Sequence, residues 1–204
     1  LIYTLPTSRN NTKHYYLLYK PYDVLCQFTD SLGRKTLKDF GPFSKDVYSV
    51  GRLDIDSEGL LLLTNDNEVN HRLSEPEFEH PRTYLAQVER IPSPEALAQL
   101  ERGVVIQGEK TKPVQVRLLE NEPHIFPRTP GIRYRKNIPT AWIELTLREG
   151  RNRQVRKMTA AVGHPTLRLV RTKIGDLMLG NLKPGEALQL TAEEGEKLRH
   201  YVGL

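Results

Sequence analysis

The hydrophobic positions of this chain fall in short blocks separated by turn residues, and the lengths of those blocks suggest the elements. His14 to Lys20, rich in Tyr and Leu, reads as a strand turned by Lys20-Pro21-Tyr22-Asp23, with Val24 to Phe28 as the next extended piece. Thr36 to Phe40 fits a short helix stopped by Gly41-Pro42. Val47 to Val50 reads as a strand, a tight acidic loop covers Asp54 to Gly59, and Leu60 to Thr64 has the length of a buried strand. Asn67 to Ser74 reads as a helix ended by Pro76, and Thr83 to Glu89 alternates like a strand. Ser93-Pro94-Glu95 starts a helix with a capping hydroxyl and a first-turn proline, and Gly103 stops it after Arg102. Val104 to Ile106, Pro113 to Leu119, Ala141 to Leu147, Thr166 to Arg171 and Ala187 to Thr191 read as strands. Asn152 to Val162 and Ala192 to Tyr201 read as helices, and Asn121 to Thr140 is a long Pro-rich loop suited to contacting RNA or closing over a site. Most strand connections are too short for crossover helices, so an α+β fold with a largely antiparallel sheet is expected.

Composition narrows the class. Of 204 residues, 38% are apolar and 27% charged, the mixture of a soluble domain with a real core. The longest all-aliphatic run is Leu60 to Leu63, far short of the roughly 20 residues of a membrane span. Leu1 to Thr12 lacks the basic-then-apolar pattern of a secretory leader, and Cys26 is the single cysteine. An internal disulfide, a cysteine zinc site and an iron–sulfur cluster are thereby excluded, and a cytoplasmic location without membrane contact is expected. The net charge of +5 conceals an imbalance. Pro127 to Lys173 holds twelve Lys and Arg against Glu144 and Glu149, a net +10, so the remainder carries −5. Nine of the twelve are Arg, which favours forked contacts to phosphate and a polyanionic partner over simple solubility.

Two segments carry candidate chemistry. Gly51-Arg52-Leu53-Asp54-Ile55-Asp56-Ser57-Glu58-Gly59 places three acids at alternate positions, like the opening of a calcium loop. The twelfth position is Asn65 rather than a bidentate Glu, and a strand follows instead of a helix, so no metal is expected. A solvated turn accounts for Asp56 and Glu58, and Asp56→Asn is expected to be tolerated. Asp54, at the end of an apolar strand, is placed to act as a nucleophile or base if a cation keeps it ionised. Arg148-Glu149-Gly150-Arg151-Asn152-Arg153-Gln154-Val155-Arg156-Lys157-Met158 reads as a turn capped by Asn152 into a helix burying Val155, Met158, Thr159 and Val162. Arg151 and Arg153 then stand near free helix amides, where anions bind.

Three segments together resemble the signatures of the ribosomal small-subunit-type pseudouridine synthases. They are Gly51-Arg52-Leu53-Asp54 continued by Ser57-x-Gly59 through Asp66, Glu149 through Met158, and Leu169-x-Arg171-x-x-Ile174-Gly175, with Lys20-Pro21 as a short first motif. The resemblance covers the chain from about His14. Residues 1–13 are taken as a tail and 14–204 as the catalytic domain, with no room for the S4-type RNA-binding domain that many members carry. Lys20-Pro21-Tyr22-Asp23-Val24-Leu25, Pro139-Thr140-Ala141-Trp142 and the Arg151-to-Gln154 form point to a large-subunit branch, which modifies one uridine of 23S ribosomal RNA in the peptidyl-transferase region.

The resemblance implies a fold of two mixed, mainly antiparallel sheets flanked by helices, with a cleft between them. It implies a reaction without cofactor or metal that detaches uracil at N1, rotates it and rejoins it through C5. Asp54 falls on the catalytic position and Tyr84 on the ring that stacks against uracil. Arg156 falls on the cation paired with the catalytic Asp, Leu169 on the apolar pocket wall, and Arg52 on a contact to the flipped strand. Arg82 stands where a Lys is usual. Arg148, Arg151, Arg153, Lys157, Arg168 and Lys173 should track phosphates of ribosomal RNA, bound by a monomer. A silent RNA-binding or ribosome-assembly protein with the same fold is the alternative. A carboxylate-pair glycosidase using Asp54 with Asp56 or Glu58 fits the basic surface poorly.

Overall fold

A computed structural model describes residues 12–132 and 138–204. The expected tail up to Asn11 and the 133–137 part of the long loop, with Arg133, Arg135 and Lys136 of the basic segment, lie outside the described residues.

The strands are β1 (Tyr15–Lys20), β2 (Tyr48–Ser49), β3 (Glu58–Thr64), β4 (Arg82–Glu89), β5 (Val105–Ile106), β6 (Glu109–Lys110), β7 (Gln115–Leu118), β8 (Thr140–Leu147), β9 (Thr166–Ile174), β10 (Leu177–Met178) and β11 (Ala187–Gln189). The helices are α1 (Asn67–Ser74), α2 (Pro94–Glu101), α3 (Gln154–Ala161) and α4 (Ala192–Tyr201). The main sheet runs β11-β1-β3-β9-β4-β8-β7, with β2 on β3 and β10 on β9, while β5 and β6 form a separate hairpin. Every pairing in the main sheet is antiparallel except β3 with β9, which meet in parallel at Glu58–Val170 and Gly59–Arg171. Two antiparallel halves therefore join at a short parallel seam, and the cleft opens beside it. The expected α+β class with mainly antiparallel strands is what the chain forms.

The seam dictates a glycine. Gly59 has φ of +106°, and a Cβ there would lie 2.3 Å from the Arg171 carbonyl oxygen and 2.6 Å from its nitrogen. Only glycine allows both the left-handed backbone and so close an approach.

Burial explains why Leu60 to Leu63 does not alternate. Leu60 and Leu62 pack with Tyr15, Leu17 and Tyr19 toward α1 and α4. Leu61 and Leu63 pack with Tyr16, Leu18 and Leu37 on the opposite face. The other half buries Ala86, Val88, Ile143, Leu145 and Leu169 against Leu100 of α2 and Val155 and Met158 of α3. Asp66 knits the first half together. It caps α1 at the Glu68 and Val69 amides, accepts the Tyr15 hydroxyl at 2.6 Å and pairs with Arg199 of α4.

Some expectations need correction. Val24 to Phe28 is not a strand, since Leu25 makes only a single bridge to Thr36. β6 and β10, two residues each, carry no periodic signal. Asn152 does not cap α3. The helix begins at Gln154, whose Oε1 accepts the Arg151 N–H at 3.0 Å, while Asn152 Oδ1 accepts from Lys157 Nζ. Arg153 occupies the cap position in the left-handed region, with φ of 51°.

Candidate active site

The acidic loop lies between buried Leu53 and the first residues of β3, tightened by a Ser57 N–H donated to the Asp54 carbonyl at 3.0 Å. Its three acids part ways. Asp54 faces a cleft, Asp56 turns to two arginines of the basic segment, and Glu58 points into the sheet.

Arg153 is the cation beside Asp54, with Nη1 3.5 Å from Oδ2. It holds Asp56 more closely, donating from both Nη atoms at 2.8 and 2.7 Å. Arg156, expected opposite Asp54, instead places Nε 3.4 Å from Asp56 Oδ2 and donates from Nη2 to the Asp56 carbonyl at 2.6 Å. The reason is helical geometry: Arg153, ahead of the first turn in a left-handed conformation, reaches the cleft, and Arg156, one turn on, lies under the loop. Burial would raise the Asp56 carboxyl, but the Arg153 hydrogen bonds and the charges of Arg156 and Arg153 outweigh it and hold it below the ordinary carboxylate range. Burial pushes the Lys20 ammonium beneath the loop down to about 8, against the upward pull of Cys26, Glu58, Asp56 and Asp54.

The Asp56 contacts reverse the expectation that this residue is dispensable. It anchors Arg153, the cation beside Asp54, and Arg156 beneath the loop. Asp56→Asn should therefore lower turnover on the order of tenfold or more, the worth of a charge-assisted hydrogen bond, as measured by single-turnover kinetics. Since the carboxyl is held low, the anchor is fully charged at neutral pH and loosens only as pH falls below the ordinary carboxylate range.

The cleft has a volume of about 320 Å³. Arg52 and Asp54 of the acidic loop, Arg82 and Tyr84 of β4, Arg151 and Arg153 before α3, and Leu169 and Arg171 of β9 all line it. The cleft thus gathers Arg52, Asp54, Tyr84 and Leu169 from three separate stretches of the chain, and Arg153, expected only to track phosphate, lines it where Arg156 does not. The remaining basic residues differ. Arg148, Lys157 and Lys173 form no ion pair among the described residues; Arg148 donates to the Glu79 carbonyl and Lys157 to Gln107 and Asn152. Arg151 is tied to the β5–β6 hairpin through the Ile106 carbonyl and Glu109. Arg168 is not on the surface. It is buried and paired in a fork with Glu58, both bonds 2.8 Å. Arg171, part of the last quoted motif, carries no role implied by the resemblance, yet it lines the cleft. Among the described residues, no three His, Cys, Asp or Glu side chains gather to hold a metal ion, and no helix is long and apolar enough to cross a membrane.

Residues 14–161 match the RNA pseudouridylate synthase family, and the chain belongs to it. It is 54% identical over 170 residues to "Ribosomal large subunit pseudouridine synthase E" of Xanthomonas axonopodis pv. citri, covering 82% of this chain and 89% of that one. It is 52% identical over 167 residues to the protein of the same name from Vibrio parahaemolyticus, covering 82% and 69%. A solved structure described as "Crystal structure of pseudouridylate synthase" superposes with a TM-score of 0.76 at 32% identity, over 92% of this chain and 74% of that one. The protein is accordingly an enzyme of the isomerase class. The small-subunit label suggested by the signatures is overturned: identity to "Ribosomal small subunit pseudouridine synthase A" of Salmonella typhimurium is only 34% over 194 residues. The shared signatures belong to the wider family and do not distinguish its branches.

Proposed function

We propose that the protein isomerises a uridine of large-subunit (23S) ribosomal RNA, in the peptidyl-transferase region, to pseudouridine in the cytoplasm. The observation that carries this reading is the convergence of Asp54, Tyr84 and Leu169 on one cleft beside Arg153. The names of the large-subunit relatives support the choice of RNA. A space of about 320 Å³ suits one extruded nucleotide.

Tyr84 and Leu169 hold the flipped uracil between an aromatic and an apolar surface, which grip a base without fixing its in-plane rotation. Asp54 acts on the nucleotide, by covalent attack on the sugar or base or by taking a sugar proton. Each route requires the carboxylate form, which Arg153 favours at 3.5 Å. Arg52, exposed on the cleft rim, steadies the opened strand. The catalytic unit runs to residue 204 on this reading, because β11 borders β1 and Leu198 and Val202 of the C-terminal segment pack into the same core as β1.

Tritium placed at uracil C5 of transcribed 23S RNA, or of precursor particles, tests the activity, because forming the new C5 bond expels that hydrogen. Release by the wild type is the expected result. Absence of release from both substrates would leave a silent RNA-binding protein.

Binding should be steeply salt-dependent, with log K falling by about 0.7–0.9 per phosphate neutralised for each tenfold rise in salt. Arg148→Ala and Lys157→Ala should each weaken binding and reduce the salt slope by about 1, as read by anisotropy titrations across salt concentrations. Arg168→Met should leave the slope unchanged, since that guanidinium is committed to Glu58.

A further inference from the structure

Arg171 is 3% exposed, yet its side chain lines the cleft. Its backbone is pinned at the Gly59 seam, and Nε donates to the Leu60 carbonyl at 2.8 Å, so the guanidinium is fixed from both ends. Nη2 is sealed from water and has no hydrogen-bond partner. A buried donor left unmade costs about 1–3 kcal/mol, and it leaves the charge of this guanidinium only partly compensated within the protein.

Sheet register places Arg171 beside the uracil-holding residues. Tyr84 of β4 lies directly opposite Arg171 of β9, and Leu169 lies opposite Ala86. Arg171 and Leu169 are two residues apart on one strand and share a face, as do Arg82 and Tyr84 on the other. All four line the cleft. Neither arginine has an ion pair among the described residues; Arg82 donates from Nη2 to the Leu73 carbonyl. Two nearby cations that no carboxylate pairs, beside the ring that would hold uracil, make a site for developing negative charge.

We propose that Arg171 is a catalytic residue that stabilises the detached uracil as an anion through the part of its guanidinium that lines the cleft, with Arg82 adding charge nearby. This rests on the uracil-isomerising reading above. When the C1′–N1 bond breaks, its electron pair stays on the base and spreads over N1, O2 and O4. After rotation, a C5 electron pair forms the C5–C1′ bond, C5 loses its proton and N1 gains one, so composition is unchanged. A preorganised donor aimed at charge that exists only during the reaction lowers the barrier without tightening ground-state binding.

The test uses RNA transcripts carrying uridine or 5-fluorouridine, followed in single turnover by nuclease digestion and nucleoside chromatography; fluorine cannot leave C5 as a proton does, so the product read from the fluorinated RNA is the C5-linked nucleoside that keeps fluorine, with water added across its N1=C6 bond. Fluorine withdraws electrons and makes the base a better anion, so it reduces the need for Arg171. Arg171→Gln, which can still donate to Leu60, should slow uridine conversion by roughly 10²–10³. RNA affinity should stay within about threefold, the pattern of an interaction made only in the transition state. The deficit should shrink markedly on the fluorinated RNA. Arg171→Lys should be intermediate, and carries the same comparison if the Gln variant does not fold. An undiminished rate, an equal deficit on both RNAs, or an affinity loss with a reduced salt slope (a phosphate contact) would overturn the proposal. A wild type that converts neither RNA would overturn the activity reading and this inference with it; a converting wild type with any of those results overturns only the role of Arg171.

Discussion

Asp54→Asn should bind RNA as the wild type does and release no measurable tritium from C5, a loss on the order of 10⁴-fold or more for removal of an acting group. The substitution is nearly isosteric and deletes only the charge and the lone pairs that attack or accept a proton. The Asp54 carbonyl still receives the Ser57 N–H, and Arg153 remains forked on Asp56, so the loop has no reason to move. With 34% of its side chain exposed, Asp54 leaves no buried charge behind, and stability should change by no more than about 0.5 kcal/mol. Tritium release and RNA anisotropy, measured side by side, separate this from general damage. A variant within tenfold of wild type would remove Asp54 from the chemistry and favour a protein that only binds RNA.

Asp54 and Leu169 could be placed from the sequence because each sits in a quoted signature, and Tyr84 because the resemblance aligns the strand between them; the signatures keep their order along the chain. The helices bounded by local signals were legible too. α1 starts at the Asp66 cap and α4 at the Thr191–Glu194 capping box, and both ends of each agree with the sequence reading. What could not be read were partnerships across the chain. Arg153 and Asp56 are 97 residues apart, and Arg168 and Glu58 are 110. An arginine within a basic run looks the same whether it meets phosphate, carboxylate or carbonyl. The sheet seam decides which, and nothing local announces it. Arg156 is a further case: its ion pair is with Asp56, while Arg153, three residues earlier, stands 3.5 Å from Asp54, a division between two arginines of one basic run that no local pattern distinguishes.

Arg168→Met should destabilise the fold by about 3–5 kcal/mol, the cost of removing one member of a buried ion pair. Glu58 is 2% exposed and opens β3 at the seam, and both of its oxygens accept from Arg168. Without the guanidinium, that carboxyl stays buried and loses both donors. Lys20, the nearby cation, donates to the Pro21 carbonyl and makes no ion pair with Glu58 among the described residues. Arg168 Nη2 also donates to the Phe126 carbonyl at 2.7 Å, so the same side chain fastens the long loop. Urea unfolding of Arg168→Met, Glu58→Gln and the double variant should reveal strong coupling, with the double variant more stable than the sum of the single losses predicts. At temperatures where Arg168→Met remains folded, kcat should fall, because the loop carrying Asp54 runs directly into Glu58. The salt slope of RNA binding should not move. Additive losses, or a slope reduced by about 1, would return Arg168 to the RNA-contacting surface that its place in the basic run suggested.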